Sequence, residues 1–259
     1  MLSLLRSELY QLTKMLSIKL TILMILVVSI VFGFRMIDES NFETLNTLGE
    51  RYVLYGGGSL CSMISDSAGV LLLASLFAGW VISRGFENRV VQESVSFGKQ
   101  RGTVYLAKML MYFLVTALCS MIYWLGTSIP AFIRNGLGTP EVCGSLCQPV
   151  YIAGLTLAAI MAYISLYSVC GVIAFWSRKV GITMGICFAA ILFGGNLLAA
   201  ILPEGIMKLI RYTPLGLYGL VTKLDVTGAD IGLTIGISLL WTGLICGIGY
   251  LGFRRAELK

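Results

Sequence analysis

The sequence predicts an all-α polytopic membrane protein: six transmembrane helices, an N-terminal amphipathic interfacial helix, and both termini in the cytoplasm. Three observations predict it. The 259 residues are 57% hydrophobic and only 12% charged, with a mean hydropathy of +0.88. An ordinary soluble domain is roughly 45–50% apolar and about 25% charged, and could not hide this much apolar surface from water. The apolar residues also fall into runs of spanning length, and the basic residues between the runs are asymmetric.

A spanning helix needs about 20 mostly apolar residues. Six segments qualify: Ile18–Phe34, Ala68–Ile82 (beginning near Met63), Thr103–Ile129, Val150–Trp176, Val180–Leu202 and Ile231–Phe253. The fourth and fifth are separated only by Ser177-Arg178-Lys179, which predicts a tight helical hairpin. Residues 1–17 come first and are not a span. Leu2, Leu5, Leu9, Leu12 and Leu16 recur at spacings of three and four, with Arg6, Glu8 and Lys14 off that stripe. This is the pattern of a helix lying on a membrane face. The first span is expected to remain uncleaved, because Phe34 is followed by Arg35-Met36-Ile37-Asp38 and no small-x-small site. Residues 203–230 are too apolar for a free loop, and Pro203, Pro214 and several charges interrupt them. They are expected to form an outer-leaflet or re-entrant helical pair, since non-helical backbone at depth must be covered by protein or line a cavity.

Orientation follows from the connections. One set holds Arg6, Lys14, Lys19, Arg84, Arg89, Lys99, Arg101, Arg178, Lys179, Arg254, Arg255 and Lys259, 12 basic residues against four acidic ones. The opposite set holds six basic and nine acidic residues. The positive-inside rule places the first set in the cytoplasm, which requires an even number of spans. Lys108 lies inside the third span, about 8 Å by helical rise from its cytoplasmic end, and is expected to reach the interface by snorkelling.

The residue inventory excludes much chemistry. There is no histidine, so His-based bases, metal sites and Ser-His dyads are out. The seven cysteines form no C-x-x-C pair. Cys143 and Cys147 share one outer loop and are either joined in a disulfide or two free thiols. No G-x-x-x-x-G-K-[ST] phosphate loop occurs. Three G-x-x-x-G spacings, Gly181/Gly185, Gly232/Gly236 and Gly243/Gly247, are expected to serve packing within the chain rather than a dimer seam.

The longest cytoplasmic connection, residues 83–102, carries the functional expectation. Phe86, Val90 and Val91 would share one apolar face of a short helix, with Glu87, Arg89 and Glu93 on its polar side and Gly98 closing it in a left-handed cap. Lys99 and Arg101 follow. The stretch from Phe86-Glu87-Asn88 through Gly98-Lys99-Gln100-Arg101 to Tyr105-Leu106-Ala107-Lys108 resembles the first cytoplasmic loop of type-2 ABC exporter permeases. The C-terminal Tyr250 to Lys259, the amphipathic start and Tyr212-Thr213-Pro214 are similar to that family too. Among its members the chain looks most like the short bacterial permeases of bacitracin-type and lantibiotic-immunity transporters.

The resemblance implies a single transmembrane domain over residues 1–259, with a coupling helix docked on a separate ATP-binding subunit and a second permease, identical or homologous, completing a dimer. ATP and Mg would belong to the ATPase, leaving this chain a non-enzymatic transport subunit of the bacterial plasma membrane with no cofactor and no nucleic-acid partner. The expected substrate is amphipathic or hydrophobic, antimicrobial peptides among the candidates. An ATP-independent secondary transporter or channel, or an intramembrane enzyme, is the alternative.

Overall fold

The computed structural model describes residues 2–39, 55–65, 67–137, 149–201, 210, 212–222 and 227–255. Among them there is no strand. The helices are α1 (Leu2–Lys14), α2 (Leu16–Glu39), α3 (Gly56–Ser65), α4 (Ser67–Phe77), a π-helical turn (Ala78–Ser83), α5 (Arg84–Glu87), α6 (Val90–Ser96), α7 (Arg101–Asn135), α8 (Pro149–Ser177), α9 (Val180–Ile201), α10 (Tyr218–Val221) and α11 (Gly228–Arg255).

Five helical segments among the described residues are long and apolar enough to cross a membrane: 16–35, 69–87, 101–135, 149–177 and 228–255. The chain is thus an all-α, multi-pass membrane protein. The predicted fifth span coincides with α9, whose described apolar part is Val180–Ala190. Ahead of the second span, which the sequence starts near Met63, a separate helix, α3, runs from Gly56 to Ser65. Gly56 donates its N–H to the Gly136 carbonyl at 2.9 Å, which ties α3 to the far end of α7.

α8 is the central helix, with about two thirds of its apolar span buried, while α2 and α11 are peripheral, with most of theirs at least partly exposed. Side chains of facing helices mesh at small residues. A Cβ on Gly126 would strike the Ser29 side chain, and one on Gly33 the Thr127 carbonyl, so these glycines set the close crossing of α2 and α7. The six G-x-x-x-G glycines behave otherwise. A Cβ at Gly181, Gly185, Gly232, Gly236, Gly243 or Gly247 would meet nothing within 4 Å among the described residues, which overturns there the expected packing within the chain. Intrachain contact falls instead on Gly249 and Gly252, beside Val172 and Trp176 of α8.

Buried hydroxyls find backbone acceptors on neighbouring spans, as apolar surroundings require. Tyr112 donates to the Ala74 carbonyl at 3.1 Å, Tyr163 to the Ile64 carbonyl at 2.6 Å and Tyr105 to the Cys246 carbonyl at 3.0 Å. Of residues 203–230, the described stretch 212–222 is a series of turns ending in α10. Trp241 of α11 donates its indole N–H to the Tyr212 carbonyl at 2.9 Å, and the Tyr218 ring stacks on Tyr163 of α8 at 5.6 Å. Both partners sit near the middle of long helices, so turn backbone penetrates to mid-depth of the bundle. Asp66, Cys143 and Cys147 lie outside the described residues.

Candidate functional site

The residues expected in the coupling loop gather at one end of the bundle, where the ends of α1, α7, α8, α9 and α11 meet the π-helical turn and the loop helices. The fourth helix enters it through the π-helical turn, a wider coil that recurs at functional positions. Ser83, last in that turn, shares a 2.6 Å hydrogen bond with the Thr183 hydroxyl and donates to the Ala174 carbonyl at 3.3 Å. The turn is thereby pinned to both arms of the α8–α9 hairpin.

The single helix expected over the loop is in fact two. α5 ends at Glu87, and α6 begins only after Arg89, which adopts φ 58°. Left-handed backbone at a side chain of this size costs roughly 1–2 kcal/mol. Arg178 in the α8–α9 turn has φ 53°. These are the two non-glycine positive-φ residues among the described residues, and such strain tends to gather at functional sites. Gly98, at φ 80°, closes α6. Its N–H reaches the Val95 carbonyl at 3.0 Å, and the Lys99 N–H reaches the Ser94 carbonyl at 3.3 Å, the paired bonds of a left-handed helix cap.

The predicted apolar face exists, but Phe86 and Val91 turn it inward. Phe86 meets Phe175 at 5.7 Å and Phe253 at 6.2 Å edge to ring, and the Arg178 guanidinium lies 5.9 Å from its ring centre. Tyr105 and Tyr250 complete the cluster, 5.9 Å apart. The loop is thus fastened to the ends of α7, α8 and α11. Val91 is fully buried beside Gly85. Both residues anchor the loop and are unavailable to a partner; Val90 is half-buried.

What the loop presents outward is Glu87, Arg89, Glu93, Gly98 and Lys99, all exposed, with Arg101 half-buried behind them. Glu87 also accepts the Val180 N–H at 2.9 Å, which caps the otherwise orphaned first turn of α9. Arg101 donates to the Arg254 carbonyl at 3.3 Å. Asn88, Ser96, Phe97 and Gln100 are exposed too, and of these the large apolar one escaped the sequence reading. Phe97 is 84% exposed at the tip of the loop, between Ser96 and Gly98. The one available signal was an aromatic residue set among polar neighbours in an aqueous connection.

Lys108 does not snorkel. It is 2% exposed, and its ammonium donates to Glu8 Oε1 at 2.9 Å. Glu8 is itself 8% exposed and shares its face of α1 with Leu5 and Leu12, with Met15 packed just after the helix. Gly85 makes room for the pair: a Cβ there would stand 2.8 Å from Lys108 Nζ. The amphipathic helix is therefore clasped to α7 and to the base of the loop, while Leu9 and Tyr10 remain exposed on its other side. Among the described residues no group of three or more Cys, Asp or Glu could hold a metal. Comparison with protein-family models and with curated proteins returns no match for this chain.

Proposed function

We propose that this chain is the membrane-spanning subunit of an ABC-type exporter, with six spans and both termini cytoplasmic, in a bacterial plasma membrane. A separate ATPase carrying ATP and Mg docks on residues 84–101, and a second permease completes the transporter. One observation carries the reading. An exposed, polar loop tip with a protruding aromatic (Glu87, Arg89, Glu93, Phe97, Lys99) is mounted on an inward aromatic anchor joined to three long helices. A helix held this way moves with the spans, as a lever between a cytoplasmic motor and a membrane path must. Four charged residues that make contacts at this end, Glu8, Arg101, Arg178 and Arg254, belong to the connections that the charge asymmetry assigns to the inside, and Glu8 and Arg178 reach Lys108 and Phe86 respectively. The exported substrate is amphipathic or hydrophobic, with an antimicrobial peptide in an immunity or resistance role as the leading case.

The test is purification from the native membrane, followed by assay of the isolated complex for ATP hydrolysis. The expected result is a phosphate-loop ATPase in stoichiometric amount, lost from Phe97→Asp and Glu87→Lys variants that still insert and fold. A chain that purifies without nucleotide hydrolysis yet supports transport in vesicles would overturn it. That outcome would favour ion-coupled transport, to which the buried Lys108–Glu8 pair would then belong.

A further inference from the structure

Away from the loop, α9 and α11 both lie against α8 and scarcely touch each other among the described residues. The gap between them is a cavity of about 460 Å³, within the usual range for small-molecule sites. Its walls include Val169, Cys170 and Ile173 of α8, Cys187 of α9 and Ile245 of α11, and the turn at Thr213-Pro214 roofs it. Ile173 is four residues from the end of α8, about 6 Å by helical rise, so the cavity occupies the half of the bundle nearer the coupling loop.

The lining decides what the cavity can hold. Among the described residues no charged side chain contributes. Each polar atom that approaches it is already engaged with backbone. The Thr213 hydroxyl donates to the Ile210 carbonyl at 2.7 Å, the Trp241 indole to the Tyr212 carbonyl at 2.9 Å, and the Cys187 thiol points at the Cys170 carbonyl at 4.0 Å. A charged or strongly polar ligand group would be desolvated there with nothing to replace its water. An alkyl chain loses nothing by entering. The helices that bound the gap also face lipid, since Ile182 and Ile186 of α9 and Leu244 and Ile248 of α11 are exposed apolar side chains.

We propose that this cavity binds the hydrocarbon chain of a lipidic molecule entering sideways from the bilayer, in the leaflet on the loop side, under the turn at Thr213-Pro214. The inference rests on the transport reading only for the direction in which that molecule later moves. Binding itself needs no ATPase.

The experiment uses the full chain in lipid nanodiscs, without any ATPase, and a diazirine-bearing octadecanol as probe. After illumination, adducts are mapped by mass spectrometry. The expected result is saturable labelling of Val169, Ile173 and Ile245, displaced by excess unlabelled octadecanol, above the linear background at lipid-facing Leu240 and Leu244. Val169 is 37% exposed, so Val169→Phe narrows the cavity mouth without overpacking the core, and labelling within should fall about tenfold. Labelling that is unsaturable, or that Val169→Phe leaves unchanged, would overturn the proposal and leave the coupling-loop reading intact. Conversely, loss of ATPase docking in Phe97→Asp would leave this labelling as it is.

Discussion

Removal of Lys108 tests how the amphipathic helix is held. Lys108 and Glu8 are buried together, their side chains 3% and 10% exposed, with N and O 2.9 Å apart. Deleting one partner of such a pair leaves an uncompensated charge, typically at about 3–5 kcal/mol, whereas deleting both is often close to neutral. Here the loss has an upper bound. Glu8 sits on α1, a helix that reaches the bundle only through its own face and the short link at Met15. Once the penalty exceeds what Leu5, Leu12 and their neighbours contribute, α1 swings out and Glu8 regains water. Lys108→Met should therefore release α1 without unfolding the spans. Glu8→Leu combined with Lys108→Met should keep it docked. The assay is hydrogen exchange of the α1 amides in nanodiscs, together with labelling of a cysteine at Leu12, which is 6% exposed when α1 is docked. Lys108→Met should raise exchange across α1 by two or more orders of magnitude, as about 3 kcal/mol implies, and the double variant should restore protection. If Lys108→Met and the double variant exchange alike, the pair does not hold α1 and the reasoning fails.

The remaining expectations concern particular contacts. Gly85→Val should push Lys108 Nζ off Glu8 and reproduce part of the same release, at about 1–3 kcal/mol, read by the same exchange. Val91→Asp should lower the yield of folded protein, because it sets a carboxylate at a fully buried site, whereas Phe97→Ser should leave the melting curve unchanged and weaken only ATPase binding. Gly126→Leu should destabilise the α2–α7 crossing by roughly 1–3 kcal/mol in a thermal melt, while Gly243→Ala, with open space at its Cβ, should stay within about 0.5 kcal/mol. Trp241→Phe should free the mid-depth turn from α11 at a cost of about 1 kcal/mol, seen as faster exchange over 212–222.

The spans were legible because lipid imposes one strong rule, about 20 apolar residues per crossing, and the helix limits extend the predicted ones mostly by a few residues at each end. Which way a residue faces was much less legible. The leucine stripe of α1 was read as a single lipid-facing band. The structure divides it, Leu12 turned into the protein, Leu9 out, and Leu16 exposed at the start of α2, because spacing cannot distinguish a lipid surface from an apolar groove. Lys108 invited the local explanation of snorkelling, since nothing in the sequence points to a partner 100 residues earlier. The G-x-x-x-G spacing could be counted, but not the emptiness opposite those glycines. The π-helical turn adds no residue type that marks it. In the loop the apolar face was found, and its direction was not, because Arg89 in a left-handed conformation breaks the helix and rotates its two halves relative to each other.

That break has a mechanical consequence. A continuous helix from α4 through residue 96 would present one rigid rod to any partner, free to pivot about its attachment to the span. The hinge at Asn88-Arg89 instead divides the work. α5 stays within the aromatic anchor through Phe86, while α6 folds back so that Val91 packs beside Gly85 and, through it, next to the Lys108–Glu8 clasp. Phe97 and Lys99 are therefore joined to the membrane helices by two sets of contacts: through Phe86 to α8 and α11, and through Val91 and Gly85 to α7 and α1. Neither set needs a continuous helix. Both need the buried side chains that the sequence reading had assigned to the partner.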